Sequence, residues 1–168
     1  TKPANCSTQG PTPSSSSEGN RHMALYIPAG TRKRRTALIA VGAGFHPLLT
    51  GRENIFVNGA ILGMGKAEVE KNFDAIVEFA EVGDFIDTPV KHYSSGMFVR
   101  LGFAVAAHSD PDIMLVDEVL AVGDRGFQTR CFKKMGDLRD GGTTFVVVSH
   151  NMHTVAGFCD WVALVNKG

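Results

Sequence analysis

Cysteine is scarce in this chain: Cys6, Cys131 and Cys159 are an odd, widely spaced set among 168 residues, with no CxxC pair. That excludes a disulfide framework and a cysteine zinc site, and the expectation is reduced thiols in a cytosolic setting. No apolar run approaches the roughly 18 residues that a spanning helix needs, so a membrane role would have to come through a partner. An excess of charge of one sign is also missing, since 17 Lys/Arg balance 17 Asp/Glu. The balance hides an asymmetry: residues 1–36 hold six Lys/Arg against Glu18, whereas residues 37–168 hold eleven against sixteen acids. The larger part is mildly acidic and does not fit a nucleic-acid binder. Glutamine occurs only as Gln9 and Gln128, and no Gly-Lys-Ser or Gly-Lys-Thr occurs at all.

What is present begins with Thr1 and a stretch carrying Pro3, Pro11, Pro13, the serines 14–17 and the basic run Arg32-Lys33-Arg34-Arg35. Its apolar content is too low for a core or a signal peptide, and residues 1–36 are expected to be a disordered or non-native segment. The basic run fits a solvated tail better than a phosphate-binding patch. From residue 37 onward the apolar content supports one domain with its own core. Ala37-Leu-Ile-Ala-Val41 is predicted to be a strand running into a Gly42-Ala-Gly44 bend. Thr50-Gly-Arg-Glu53 has the form of a helix cap with an acid three residues on, opening a helix that runs to about Leu62. Lys66 to about Val82 places Val69, Phe73, Ile76, Val77 and Ala80 on one stripe, which suits core packing. Between these helices, Gly59 to Ala67 imitates a phosphate loop but has one residue too many between its glycines, ends in alanine and leaves no strand.

The stretch from Tyr93 to Glu118 organises the rest. Tyr93-Ser94-Ser95-Gly96-Met97 is a hydroxyl- and glycine-bearing helix start, whose free N–H groups and positive dipole end suit an anion. An apolar helix follows over residues 99–108, then a turn at Asp110-Pro111-Asp112 and a buried strand, Ile113-Met114-Leu115-Val116, ending in Asp117-Glu118. Two carboxylates at the end of a buried strand are costly unless a cation, a water or a proton transfer uses them. Further on, Phe127 to Leu138 is predicted to be a helix stopped by Gly141-Gly142. Thr143 to Val148 reads as a central strand buried on both faces, with Ser149-His150 at the carboxyl end where open α/β sheets place ligands. Asn151 caps a helix to about Cys159, and Trp161 to Val165 is predicted to be a last strand.

Tyr93-Ser-Ser-Gly-Met97, Leu115-Val-Asp-Glu118, Ala121-Val-Gly-Asp124 and Val148-Ser-His-Asn151 resemble, in order, the signature motif, Walker B, D-loop and switch histidine of an ABC-type ATPase. Gly42-Ala-Gly-Phe-His-Pro47 and Thr50-Gly-Arg-Glu-Asn54 bring the likeness closer to the ATP-binding subunits of polysaccharide, O-antigen and teichoic acid exporters. The resemblance covers residues 37–168 and implies an α/β fold: a partial P-loop NTPase-like ABC nucleotide-binding domain with a mostly parallel sheet. Its helical subdomain would span about 53–108, and the Walker B, D-loop and switch part 109–168.

The resemblance also implies roles. Asp117 would hold Mg²⁺ through water, and Glu118 and His150 would be catalytic. Ser94, Ser95, Gly96 and Asp124 would meet the ATP of an opposing subunit. Partners would be a second ATP-binding subunit and a membrane-spanning permease, at the cytoplasmic face of the membrane, with no nucleic acid. The family's phosphate loop and its loop glutamine have no counterpart here, so the N-terminal third is expected to be missing or replaced, and the 168 residues alone to bind ATP weakly without turnover. The alternatives are a catalytically dead fragment that lends only its signature face, and a soluble non-transport ABC ATPase, which would need coiled-coil heptads or a tandem cassette absent from this sequence.

Overall fold

The structure, a computed structural model, describes residues 21–22, 36–39, 44–117, 124–149, 157–163 and 165–166. Its sheet is built from three parallel strands in the order β2 (Thr36–Ile39), β3 (Ile113–Asp117), β4 (Thr144–Val148). Thr36 pairs with Ile113 and Ile39 with Val116, while Ile113 pairs with Thr144 and Asp117 with Val148. A separate antiparallel pair joins β1 (Arg21–His22) to β5 (Val165–Asn166). Thus a strand falls inside the stretch expected to be disordered. The last strand falls at Val165–Asn166, and residues 161–163 ahead of it are not strand, with Trp161 83% exposed.

Thr144–Val148 corrects a second expectation. Among the described residues it is an edge strand, with only Val147 buried, and β3 takes the central place. A β-branched apolar run fits either position, because the covering layer and not the run decides burial.

Three helices form the layer ahead of β3. α1 (Gly51–Ile61) starts at a complete capping box: the Thr50 side chain accepts from the Glu53 N–H, and the Glu53 carboxylate accepts from the Thr50 N–H. α2 (Lys66–Ala80) buries Val69, Ile76 and Ala80, with Phe73 and Val77 half-buried on the same stripe, and stops at Glu81 in left-handed backbone at φ 54°. Residues 62–65, the centre of the false phosphate loop, simply connect these two helices. Two short 3-10 turns, Gly83–Phe85 and Val90–His92, lead into α3 (Ser95–Ala107).

α3 is apolar nearly all round, the mark of a helix enclosed on both sides. Leu101, Ala104 and Val105 join Ile55, Met64, Val69, Ile76 and Val82 in one core. Phe103, Ala106 and Ala107 join Met114, Val116 and Val147 of the sheet in the other, together with Phe127, Cys131 and Met135 of α4 (Arg125–Asp140). The rings of Phe79, Phe103 and Phe127 meet within 6.1 Å where α2, α3 and α4 converge. α3 therefore fixes the helical layer to the sheet, with Met97 of its first turn packed on the helical core.

Candidate functional site

The site is best built from the turn that opens α3. Ser94 has extended backbone, and its hydroxyl accepts from the Met97 N–H at 3.2 Å, so the cap that the sequence suggested forms. Ser94 and Ser95 are exposed and Gly96 is half-buried, leaving the turn open to a molecule from outside. The Ser95 and Gly96 amides find no acceptor among the described residues, so a 13-residue helix directs two N–H donors outward. Chemically, this turn fits a phosphate oxygen.

Its position is set by residues far away in sequence. The Tyr93 hydroxyl donates to the Phe85 carbonyl at 2.8 Å, and a β-carbon on Gly51 would lie 2.1 Å from that hydroxyl. Arg52 binds Asp87 through two nitrogens at 2.7 and 3.2 Å, holding Asp87 below the ordinary carboxylate range. Gly51 and Arg52 donate backbone hydrogen bonds to Thr88 and Ile86, and Val90 and Lys91 donate to Leu49 and Pro47. Asn54, fully buried, fastens the other end: its amide donates to the carbonyls of His46, Leu49 and Thr50, and its oxygen accepts from the His46 N–H at 2.8 Å. Every residue of Thr50-Gly-Arg-Glu-Asn54 thus serves to hold the approach to Tyr93. The sequence showed this run as a helix cap and as part of the family resemblance, but not these long-range contacts.

At the sheet, Asp117 ends β3 beside Val148, the last residue of β4, so the carboxyl ends of two parallel strands are level. Glu118 and His150, expected to be catalytic, lie outside the described residues, as does the Gly42-Ala43 part of the bend after β2. Among the described residues no cluster of three or more His, Cys, Asp or Glu comes together. A site that shares Mg²⁺ between one carboxylate, several waters and substrate phosphates needs none, and Asp117 at a strand end suits that manner of binding.

Asp124 caps α4: one carboxylate oxygen accepts from the Phe127 N–H at 2.9 Å, and the other is paired with Arg100 of α3. The Phe127 amide, then the guanidinium, keep this carboxyl below its ordinary range. The sequence reading started this helix at Phe127 and gave Asp124 no capping role, and it did not show the pairing with Arg100 either.

The fold places the chain in a class. It resembles a solved ATP-binding subunit of an ABC transporter with a TM-score of 0.68 at 20% identity, over 76% of this chain and 53% of that one. It also resembles a dimeric ATP-binding cassette in a post-hydrolysis state bound to ADP and phosphate, with a TM-score of 0.59 at 22% identity, over 71% of this chain and 54% of the other. The architecture is that of a partial ABC-type nucleotide-binding domain.

No protein-family profile matches the chain. Individual relatives do. Over 135 residues it is 53% identical to the O-antigen export system ATP-binding protein RfbB of Myxococcus xanthus, covering 80% of this chain and 31% of that protein. Over 137 residues it is 47% identical to the RfbB of Klebsiella pneumoniae, covering 82% and 56%. Over 132 residues it is 46% identical to the teichoic acids export ATP-binding protein TagH of Lactococcus lactis, covering 79% and 28%. The chain is similar to ABC-transporter ATP-binding proteins of the O-antigen and teichoic acid export type, and it spans between 28% and 56% of the length of these three relatives. Among the described residues no helix is long and apolar enough to cross a membrane.

Proposed function

We propose that the chain is part of an ATP-hydrolysing subunit that drives export of a polysaccharide or polyol phosphate polymer through a membrane-spanning permease, working as a dimer at the cytoplasmic face of the membrane. The observation that carries this reading is the exposed Ser94–Gly96 turn at the start of α3, with two outward backbone donors. Ser94, Ser95 and Gly96 bind the γ-phosphate of an ATP molecule held by the opposing subunit, where N–H donors aimed at developing charge contribute most. Asp124, whose side chain is 57% exposed, faces that subunit.

The reaction is attack of water on the γ-phosphate. Glu118 takes the proton from the attacking water and His150 orients the phosphate, both one residue past the level ends of β3 and the Ser149 that follows β4. Asp117 would hold Mg²⁺, which would supply neutralisation of the phosphate charge when bound. The grip on the β- and γ-phosphates belongs to a Gly-rich loop ending in Gly-Lys-Ser or Gly-Lys-Thr, which these 168 residues do not contain.

A second reading is that the chain lends only its signature face to a complete subunit. One experiment separates the two: Mg-ATP hydrolysis by the chain alone and mixed with an intact ATP-binding subunit of the same type. The chain alone is expected to be inactive. The mixture is expected to turn ATP over and to lose that activity on Ser95→Arg. A rate lowered by Glu118→Gln supports the first reading, and a rate indifferent to it supports the second. A mixture indifferent to Ser95→Arg contradicts both.

A further inference from the structure

A group of four charges, of which only Asp124 belongs to a motif named above, ties α3 to the helices on either side of it. Glu81, at the left-handed end of α2, receives Arg100 of α3 at 2.8 Å and also pairs with Arg130 of α4. Arg100 extends its second nitrogen to Asp124 at the start of α4. Both guanidinium groups lie over the Phe127 ring, 5.4 and 5.7 Å from its centre, and their buried Nε atoms have no acceptor among the described residues. One planar fork therefore spans three helices, directly above the junction of Phe79, Phe103 and Phe127.

Magnitudes decide what such a group is for. The acids are about half exposed, and exposed pairs of this kind add little to stability. Geometry is another matter, because a guanidinium holds two carboxylates at fixed angles, which an ammonium cannot do. Arg100 stands five residues along α3 from Ser95, roughly 7.5 Å at 1.5 Å per residue, so a swing of this helix moves the turn directly.

We propose that Arg100 is a positioning residue, which sets the Ser94–Gly96 turn against the sheet edge by clamping α3 between Glu81 of α2 and Asp124 of α4. The proposal rests on the reading of that turn as nucleotide-facing. Arg130 steadies Glu81 but does not touch Asp124, so it is auxiliary. Misplacement of a reacting group by about 1 Å costs on the order of a hundredfold in rate, which is the scale on which such a clamp acts.

The test uses the whole 168-residue chain with Arg100→Lys, Asp124→Asn, which keeps a capping side chain, and Arg130→Lys. Amide exchange at Met97 and Phe98 is expected to quicken at least tenfold in the first two and less than twofold in the third, with melting temperatures close to that of the unsubstituted chain. In the mixed ATPase assay, Arg100→Lys is expected to lower kcat at least tenfold while leaving KM for ATP within twofold, because the phosphates are gripped elsewhere. Exchange unchanged in Arg100→Lys and Asp124→Asn overturns the proposal, as does an unchanged kcat in an active mixture. An unsubstituted mixture without turnover counts against the proposed function instead, and the exchange measurement then decides the clamp by itself.

Discussion

Tyr93 occupies the space that a side chain on Gly51 would fill: a β-carbon there would stand 2.1 Å from the phenolic oxygen and 3.1 Å from the Ile86 carbonyl. The glycine at the start of α1 and the tyrosine ahead of the Ser94–Gly96 turn are thus a fitted pair. Gly51→Ala is expected to destabilise the protein by about 1–3 kcal/mol through overpacking. Tyr93→Phe, which only gives up the bond to the Phe85 carbonyl, is expected to cost about 1 kcal/mol. Urea denaturation measures both, and coupling in a double variant with Tyr93→Ala shows whether the clash is the cause.

Asn54 is a buried amide with all its hydrogen bonds made inside the protein. Asn54→Leu keeps the branched shape but leaves the His46 N–H without its acceptor and takes one donor from each of three carbonyls, which retain the N–H bonds of Leu49, Val90 and residue 54. The expected loss is about 2–3 kcal/mol with faster exchange of the His46 amide, both readable by hydrogen exchange.

Ser94 and Ser95 differ in their work although they are neighbours. Ser94→Ala removes the cap on α3 and is expected to cost about 1 kcal/mol. Ser95 is exposed, so Ser95→Ala is expected to change stability by less than about 0.5 kcal/mol. In the mixed assay, the same Ser95→Ala is expected to weaken ATP use severalfold, so thermal melting and turnover together separate the roles.

How much of this was written in the chain locally can be judged from the same residues. The Thr50–Glu53 capping box, the α2 stripe, the Ser94 cap and the strand into Asp117 depend on neighbours in sequence, and all were legible. Gly51 against Tyr93, Arg52 with Asp87 and Arg100 with Asp124 join residues 24 to 42 positions apart, which no periodicity reveals. The edge position of Thr144–Val148 among the described residues depends on which strands lie beside it, and the final strand pairs with Arg21–His22, about 140 residues earlier in the chain. Glu118 and His150 were legible as motif members through family resemblance, since a lone acid or histidine carries little signal.

Acid should loosen the four-charge group. Arg130 first, then Arg100, keeps Glu81 below its ordinary 4.5, and the Phe127 amide and Arg100 keep Asp124 below 3.8. Because both folded-state values are depressed, the stabilisation is complete above the ordinary values and is lost as pH falls through the depressed ones. Chemical shifts of the Arg100 guanidinium are therefore expected to be constant from pH 7 to about pH 5 and to move only below about pH 4, with Asp124→Asn removing part of the change.

Cys131 sits in the core between α4 and the sheet, and burial pushes its thiol up to about 12. At pH 8 it is almost entirely protonated and enclosed, so a thiol reagent is expected to label it only after unfolding, whereas half-buried Cys159 reacts sooner. Peptide mapping after a timed alkylation reads both rates.

The most direct measurement is sedimentation velocity of the chain mixed with an intact ATP-binding subunit whose own general base has been changed from Glu to Gln, with and without Mg-ATP. A heterodimer that forms only with Mg-ATP and disappears on Ser95→Arg is the predicted result. Association that ignores ATP, or that survives Ser95→Arg, would contradict the account.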